Sequence, residues 1–521
     1  MSVIPGRPYS GAMKRPIGPG LNIGLLNLLL LVALGLSAVV WGASLVAGIG
    51  EHGLSWFVAM AGVFGVACAS FVVRRVGEGF ERIFEMPVFM TVLVFLYFGA
   101  APVINFIDPA TIDWKLHGDT SLLYEALRIV LTGMVAFWLG SAIARPSKKA
   151  PAVLDYASLP GSDPRTRTFF FGIGLYLVAF AAKVYMLRSG MYAYMQSLVV
   201  IESRLAEVQV LIVLEQFGLY ALILFAIEAY YHPEDKVRRV LLWSVFAAEC
   251  FWGLISGMKG MVLQNFLAVA LVSSLRGRKL RMRYFAVGAL VLVAIYPMID
   301  QYRSIVRTRA TDSVTSMGDA TQFLRGAAER GALHERTAAD WVASGWSLSV
   351  NRLNMLQPLA LVLAYQDRAY LIETGESLWM IPLYPFIPRL LWPGKPVQDK
   401  GLRVSKLLGG GSMATSAAVT VPGDLYVFYY GIPGLLVGMF LIGLVAQWLT
   451  NPVTLCPSKR NVFIYGCMFF AVAVWGNDIF GYSTLTIRTF VIAHILAAII
   501  YGPARAPSRV RKLVGRAVQR Q

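Results

Sequence analysis

The chain has 521 residues, of which 57% are hydrophobic and only 15% are charged, and its formal net charge is +18 at pH 7. Its mean hydropathy of +0.61 lies well outside the usual range of soluble globular proteins, so the positive charge does not indicate a soluble nucleic-acid-binding protein. Long apolar runs recur along the chain, each close to the roughly 20 residues that cross a hydrocarbon core of about 30 Å. The composition predicts an all-α polytopic membrane protein.

About twelve apolar runs are candidate transmembrane helices. They are residues 22–48, 54–73, 86–107, 122–143, 168–187, 208–231, 240–257, 260–275, 284–300, 423–449, 462–480 and 484–502. The first run is longer than the apolar part of a signal peptide, so we interpret it as an uncleaved anchor. We expect one transmembrane domain at residues 22–502 between cytoplasmic tails at residues 1–21 and 503–521.

Basic residues occur in alternate connections between these runs. With the N-terminus in the cytoplasm, Arg or Lys is present in every inner segment: 74–82, 145–167, 236–239, 276–283, 459–460 and 505–520. The opposite connections include the acidic cluster of Asp108, Asp113 and Asp119. Since cytoplasmic segments are enriched in Lys and Arg, this distribution predicts a multi-pass protein with both termini in the cytoplasm.

One outer connection, residues 301–422, is far longer than the others. Its roughly 120 residues exceed the usual length of a connection, and loops of this size are generally functional. Two apolar segments interrupt it, 353–365 and 378–392, and several prolines exclude a continuous helix in the second. Irregular backbone near a bilayer is tolerated where protein covers it or where it lines a wet cavity. We therefore expect a large, partly helical outer loop with an interfacial or re-entrant segment.

A set of basic residues lies on the outer side, against the positive-inside rule. These residues are Arg128, Lys183, Arg188, Lys259, Arg303, Arg307, Arg309, Arg352, Arg389, Lys395 and Arg488. Charges at such depth are costly and usually face a cavity or a substrate. Because Arg offers planar, bidentate donors to phosphate, a shared outer cluster predicts a lipid phosphate or pyrophosphate site that needs no metal. For each residue alone, snorkelling or pairing with a carboxylate such as Glu125 or Asp300 is the alternative.

The cysteines and histidines predict no metal or disulfide framework. The four cysteines form no CxxC pair, and the five histidines form no HExxH motif or ligand cluster. We expect neither a bound metal nor another cofactor.

Four segments carry a resemblance to a known family. They are SGMKG at 256–260, YRSIVRTR at 302–309, IPRLLWPGKP at 387–396 and GDLYVFYYGIPGLLVG at 423–438. Across roughly residues 250–440, the chain resembles the Wzy-type O-antigen and exopolysaccharide repeat-unit polymerases. These are membrane glycosyltransferases with the GT-C fold, related in architecture to O-antigen ligases.

The resemblance implies a metal-independent polymerase in the bacterial inner membrane. Its donor and acceptor would be oligosaccharide repeat units carried on polyprenyl pyrophosphate at the outer face. Membrane lipids, a chain-length regulator and a flippase are the further partners it implies, and nucleic acid is not among them. The chain departs from the family pattern at two positions, with Lys259 where Arg is frequent and Asp424 where Glu is frequent.

The same resemblance suggests roles for individual residues. The substrate pyrophosphates are assigned to Arg303, Arg307, Arg309, Lys259, Arg352, Arg389, Lys395, Arg488 and Arg128. The candidate catalytic bases are Asp424 and His334, with a helix cap as the alternative role of Asp424. The candidate sugar-stacking rings are Trp392, Trp379 and Tyr192, for which anchoring at the membrane interface is the alternative.

Other functions remain open at this point. An O-antigen ligase would use the same donor with a different acceptor. A transporter or flippase for a lipid-linked glycan would need ionisable groups inside the bundle, and Glu215 and Glu249 within apolar runs are candidates for these. A non-catalytic membrane partner of a polysaccharide synthase is a further alternative.

The topology is testable with alkaline phosphatase, which forms its disulfides, and hence its active fold, only outside the cytoplasm. Fusion after Gln521 is expected to be inactive, and fusion after Gly326 in the long loop is expected to be active. Enzyme activity per amount of fusion protein is the measurement. An active fusion at Gln521 together with an inactive one at Gly326 would reverse the assigned orientation.

Overall fold

A computed structural model of the chain describes ten main ranges and some short stretches. The ranges are residues 53–76, 80–107, 121–146, 165–192, 205–275, 337–366, 400–407, 420–455, 458–473 and 478–502. The short stretches are single residues or a few neighbours between 288 and 396, and residue 476. Across this described part of the chain the regular elements are helices, without a strand.

The N-terminal described region contains four α-helices. They are α1 (Gly53–Val76), α2 (Met86–Phe95), α3 (Ala101–Ile107) and α4 (Ser121–Ile143). A short 3₁₀ turn at Phe80–Phe84 follows α1, and a π-helical turn at Leu96–Ala100 joins α2 to α3. Because that turn continues the helical path, residues 86–105 form one apolar rod.

The described residues of the middle region, 165–192 and 205–275, form four long helices in two hairpins. They are α5 (Arg165–Arg188), α6 (Leu205–Tyr231), α7 (Lys236–Ile255) and α8 (Lys259–Leu275). The α6–α7 connection is short because Asp235 caps α7, where its carboxylate accepts from the backbone N–H groups of Val237 and Arg238.

The described residues of the C-terminal region form seven further helices. They are α9 (Ala338–Leu353), α10 (Leu356–Ala364), α11 (Lys400–Leu407), α12 (Val421–Phe428), α13 (Ile432–Leu455), α14 (Lys459–Val472) and α15 (Ile479–Tyr501). Side chains of Ser458 and Asp478 cap α14 and α15 by accepting from the backbone at 3.1 and 2.6 Å.

Seven helical segments in the described residues are long and apolar enough to cross a membrane: α1, residues 86–105, α4, α5, α6, α13 and α15. Helix α8 is apolar but shorter. The described elements confirm the predicted all-α class, and these seven segments have the length and apolar composition of membrane spans. The predicted run at 22–48 and most of the run at 284–300 lie outside the described residues.

Two predicted runs have different boundaries in the structure. The run at 423–449 is not one helix, because α12 ends before a turn in which Tyr430 and Gly431 have φ values of 67° and 64°. A right-handed helix cannot continue through such residues. The run at 462–480 ends at Val472, and Ile479 already begins α15.

A close helix contact joins α4 and α13 through glycines. A Cβ added at Gly140 would overlap the backbone carbonyl oxygen of Phe440, and one added at Gly443 would overlap that of Phe137. Small residues let transmembrane backbones approach closely, and the contact then depends on van der Waals packing. The α4–α13 pair is called the α4–α13 half of the bundle below and helices α5–α8 the α5–α8 half, and both contribute to one hydrophobic core.

Replacing Gly140 by Val should separate α4 from α13. Overpacking a close contact costs about 1–3 kcal/mol, so we expect a lower melting temperature of the detergent-solubilised protein. Gly174→Val in α5 is the matched control, because nothing lies within 4 Å of a Cβ added there. Equal melting temperatures for the two variants would contradict the close contact.

Candidate functional site

The turn between α7 and α8 closes one end of the α5–α8 half. Gly257 has a φ of 65°, a conformation that glycine adopts without the steric cost of a side chain. The Ser256 hydroxyl donates to the Gly253 carbonyl at 2.7 Å and accepts from the Met258 N–H at 3.0 Å. Backbone groups that helix ends leave open are thereby satisfied.

Two tyrosines fasten the end of α7 beside this turn. The Tyr302 hydroxyl donates to the Ile255 carbonyl at 2.8 Å, and the Tyr192 hydroxyl donates to the Trp252 carbonyl at 3.2 Å. Burial, with a smaller contribution from nearby carboxylates, raises the pKa of Tyr192 well above its ordinary value, so the phenol stays a donor. The Tyr192 ring is fully buried edge-on against Trp252. Instead of stacking on a sugar, as the sequence suggested, it packs against this tryptophan.

A cavity of about 330 Å³, called the central cavity below, lies inside the bundle next to this turn. Helices α5, α6, α7, α8, α14 and α15 contribute to its walls. Met258 of the turn lines the cavity and is 37% exposed, so the cavity extends to this end of the bundle. Its charged and amide side chains are Lys183, Glu215, Gln216, Glu249, Gln264 and Asn265.

A buried ion pair forms one wall of the central cavity. The Lys183 ammonium lies 2.6 Å from both carboxylate oxygens of Glu249, and the two side chains are 1% and 6% exposed. Gly218 of α6 makes room for this pair, since a Cβ there would lie 2.5 Å from a Glu249 oxygen. Removing two charges from water is expensive, and ionisable groups inside membrane helices are functional candidates by default.

A second carboxylate, that of Glu215, lines the same cavity. Within the part of the chain that the structure describes, it makes no hydrogen bond or ion pair. The cavity therefore holds two carboxylates and one ammonium, and only Glu249 is directly bonded to that ammonium. The Glu215 carboxylate is available to accept a hydrogen bond or a proton from a ligand.

The ion pair lies closer to one end of the helix bundle than to the other. Lys183 is five residues from the end of α5, and Glu249 is six residues from the end of α7. At a rise of 1.5 Å per residue, both lie roughly 8–9 Å from those helix ends. The topology predicted from the basic residues would place this half on the outer side.

Neutral polar groups complete the cavity lining. Gln216 of α6, Gln264 and Asn265 of α8 and Thr489 of α15 face it, and the Tyr220 hydroxyl is within 3.5 Å of the Gln216 amide oxygen. Amides supply both donors and acceptors, as the hydroxyl groups of a sugar require. The cavity therefore combines amide donors and acceptors with a carboxylate.

Polar groups on α15 adjoin the cavity. Within the described part of the chain, the Arg488 Nε and the hydroxyls of Thr484 and Thr486 are buried and have no hydrogen-bond partner. Arg488 precedes the cavity residue Thr489 and is within electrostatic range of Tyr220. Unsatisfied buried polar groups are costly, and a guanidinium in this position is a candidate partner for an anion.

Other cations of the predicted outer cluster lie elsewhere. Arg128 pairs with Glu125 at 3.3 Å on an exposed face of α4. Pairing with this carboxylate was the alternative to a role in phosphate binding. The Lys259 ammonium lies over the Tyr296 ring, and Arg352 is exposed on α9. None of these cations lines the central cavity. Six further predicted site residues lie outside the described residues: Arg303, Arg307, Arg309, His334, Trp379 and Arg389.

The Lys395 ammonium is bound by backbone carbonyls of the proline-rich stretch in the long loop. Its ammonium donates to the backbone carbonyls of Tyr384 at 2.5 Å and Ile387 at 3.1 Å, and the residue is 8% exposed. The Trp392 ring packs against Tyr384 with centroids 5.6 Å apart. The segment folds around Lys395, whereas the sequence suggested an ammonium that faces phosphate.

Asp424 lies fully buried where α11, α12 and α15 meet. One carboxylate oxygen is 2.8 Å from the Lys400 ammonium, and the other accepts from the Ile479 N–H at 2.8 Å. Thr420 and not Asp424 caps α12, because its side chain accepts from the Gly423 N–H, and Asp424 lies in the first turn of that helix. With both oxygens occupied, Asp424 can act as a base only if the Lys400 pair opens.

Comparison with known proteins gives one family. A domain of unknown function (DUF8712) matches residues 176–480, more than half of the 521 residues. The chain belongs to this family. The matched region starts within α5 and ends at the start of α15, so it contains Lys183, Glu215 and Glu249. No curated protein and no solved structure matches the chain.

Sequence reasoning did not assign the amides of the DUF8712 region to a site. Gln216, Gln264 and Asn265 each interrupt an otherwise apolar run, and that interruption was the available signal. Lys183 was noted only as an outer cation, because its partner Glu249 is 66 positions away and helix packing brings them together. Among the described residues, no three His, Cys, Asp or Glu side chains form a metal-binding group.

Removing the ammonium of the buried pair tests its energetic role. Lys183→Met leaves the Glu249 charge buried and unpaired. We therefore expect the free energy of unfolding to fall by about 3–5 kcal/mol and the melting temperature to fall clearly. The double variant Lys183→Met with Glu249→Gln should recover most of the loss. Arg128→Met is the control, because it breaks an exposed pair that contributes little. A double variant no more stable than the single one would contradict a buried pair.

Proposed function

We propose that the chain is a membrane glycosyltransferase that joins polyprenyl-pyrophosphate-linked oligosaccharide units at the outer face of the bacterial inner membrane. The observation that carries this proposal is the central cavity, which combines the Glu215 carboxylate with amide side chains in one half of a membrane bundle. The product would be an O-antigen or exopolysaccharide chain. The resemblance of residues 250–440 to Wzy-type polymerases supports the same assignment.

The cavity chemistry suits a sugar near the membrane surface. Gln216, Gln264 and Asn265 can exchange hydrogen bonds with sugar hydroxyls. A lipid carrier fixes the sugar close to the headgroup region, and the cavity extends to the turn at the end of α7. In this proposal, a lipid-linked oligosaccharide reaches the cavity at this end of the bundle and keeps its lipid anchor in the bilayer.

The proposed reaction is a displacement at the anomeric carbon of the donor. An acceptor hydroxyl oxygen forms a bond to this carbon, and the carbon–oxygen bond to the pyrophosphate breaks. The polyprenyl pyrophosphate leaves with the bonding electron pair, and the hydroxyl proton passes to the Glu215 carboxylate. The Arg488 guanidinium stabilises the charge on the leaving group.

The long loop would supply the remaining contacts. Arg303, Arg307 and Arg389 stay the proposed partners of the second pyrophosphate, and His334 stays the alternative base. Asp424 acts here as a positioning residue, because its bonds to Lys400 and Ile479 connect α11 and α12 to the start of α15. The GT-C architecture, the count of twelve spans and the cytoplasmic termini belong to this proposal as well.

A lipid-linked glycan carrier is the second candidate function. It is favoured by ionisable side chains on three different helices inside the bundle: Lys183, Glu215 and Glu249. A carrier would use these groups to change conformation and would leave the glycan length unchanged. An O-antigen ligase would use the same donor chemistry with a different acceptor.

Reconstituted protein distinguishes these functions. Proteoliposomes are given synthetic polyprenyl-pyrophosphate-linked repeat units without added metal, and the products are resolved by glycan length. We expect a ladder from the wild type and a loss of at least about a hundredfold in rate for Glu215→Gln, the scale of general-base catalysis. Glu207→Gln is the matched control on α6, because Glu207 lies outside the cavity and accepts from Tyr185.

Two results would contradict the proposal. If the wild type moves the labelled substrate between leaflets and yields no ladder, the carrier function is correct. If Glu215→Gln and Glu207→Gln form ladders at the wild-type rate, the cavity carboxylate is not the base.

A further inference from the structure

A second pocket, called the arginine pocket below, lies between the C-terminal ends of α1 and α4. Its volume is about 400 Å³. Its walls are Ala67, Ser70, Phe71 and Arg74, with Arg75 of the same helix, and Trp138, Ala142 and Arg145 of the α4 end. The pocket shares no residue with the central cavity. The distribution of basic residues assigns this end of the bundle to the cytoplasmic side.

The walls of the arginine pocket are strongly basic. Three of the eight lining residues are arginines, and in the described part of the chain no carboxylate lines the pocket. Arg75 is 5% exposed and donates to the Glu85 carboxylate at 3.3 Å, while Arg82 donates to the same carboxylate at 3.1 Å. One carboxylate thus serves two guanidinium groups, and Arg74 and Arg145 add further positive charge at the pocket.

Aromatic and small residues shape the base of the pocket. The rings of Phe71 and Trp138 stack with centroids 5.7 Å apart, and the Arg75 guanidinium lies over Phe71 at 5.3 Å. The Trp138 ring is oriented by its N–H, which donates to the Thr91 hydroxyl at 3.0 Å. Small residues on both helices leave the volume open. Aromatic rings at the base and arginines in the walls are suited to a headgroup with a phosphate.

A strip of exposed apolar side chains runs along α4, the helix that also contributes to the pocket wall. Val135, Leu139 and Ile143 are spaced by four residues, so they lie on one face, and they are 55%, 55% and 63% exposed. In a bilayer this face contacts acyl chains. A molecule with a phosphate beside the arginines and a hydrocarbon chain on this face would match both features, whereas a free phosphate would use only the first.

We propose that the arginine pocket binds the phosphate headgroup of an anionic phospholipid of the inner leaflet, with an acyl chain along α4. Basic pockets between helices at the cytoplasmic boundary suit such headgroups, and each nearby Arg contributes to the attraction. The bound lipid bridges α1 and α4 where their C-terminal ends meet.

The lipid would act on the α4–α13 half through a buried polar network. Arg75 donates to the Gln447 amide oxygen at 3.2 Å, and the Ser141 hydroxyl donates to the same oxygen at 3.3 Å. Gln447 donates to Asn451 at 2.8 Å, and Asn451 donates to the Ala144 carbonyl at 2.9 Å. A phosphate beside Arg75 would polarise this network and hold α1, α4 and α13 together. The stability of this half should therefore depend on anionic lipid.

The test uses the full-length protein in nanodiscs. Discs contain phosphatidylcholine alone or with phosphatidylglycerol, and native mass spectrometry counts the retained anionic lipid while thermal unfolding gives the melting temperature. We expect the wild type to retain phosphatidylglycerol and to melt higher in its presence. Each of Arg74→Gln and Arg145→Gln should weaken retention about fivefold, as expected for one cation near the membrane surface.

Arg239→Gln is the matched control, because Arg239 is an exposed arginine at the N-terminal end of α7 that does not line the pocket. It is expected to retain lipid as the wild type does. If Arg239→Gln weakens retention as much as Arg74→Gln, the attraction is only bulk charge and the pocket assignment fails. The double variant of Arg74 and Arg145 is expected to lose the melting-temperature increase while keeping the wild-type melting temperature in phosphatidylcholine.

Soluble anions distinguish the source of the phosphate. Inorganic phosphate and glycerol phosphate, added to phosphatidylcholine discs, are expected to leave the melting temperature unchanged. An increase equal to that given by phosphatidylglycerol would show a site for a soluble phosphate and overturn the lipid assignment. Retention of phosphatidylglycerol by the double variant at the wild-type level would overturn the pocket itself.

Discussion

The cost of placing charge inside an apolar bundle governs this structure. The Lys183 ammonium and the Glu249 carboxylate offset this cost by pairing at 2.6 Å. The pair fits against α6 because Gly218 has no side chain there. The pair connects α5 to α7 and forms one wall of a polar cavity. A bundle needing only stability would place apolar side chains here, so the retained charges, together with Glu215, indicate a site.

The cost of burying charge also explains how other charged side chains are paired in the bundle. Asp424 and Lys400 neutralise each other where the loop helices meet α15, and Lys395 has its ammonium enclosed by backbone carbonyls. At the opposite end, Glu228 receives both Arg238 and Lys459, which joins α6, α7 and α14. These charges connect elements through contacts within the described residues, whereas the Glu215 carboxylate and Arg488 Nε make no hydrogen bond there.

Much of the helical framework could be predicted from the sequence, and the partners within it could not. Apolar length alone located α4, α5 and α6 within a few residues, because a bilayer imposes that length. The break at Tyr430 was missed, since a positive φ leaves little trace in an apolar run. The pairing of Lys183 with Glu249, and the enclosure of Lys395, depend on tertiary packing between distant segments, which composition and periodicity do not encode.

Photo-crosslinking tests the central claim most directly. A polyprenyl-pyrophosphate-linked oligosaccharide with a photoreactive group on its first sugar is bound to the full-length protein, irradiated, and mapped by peptide mass spectrometry. The account predicts adducts on the walls of the central cavity, at the peptides containing Gln216 and Gln264, which excess unlabelled substrate prevents. Adducts confined to α1 and α4, or a pattern that unlabelled substrate does not change, would contradict it.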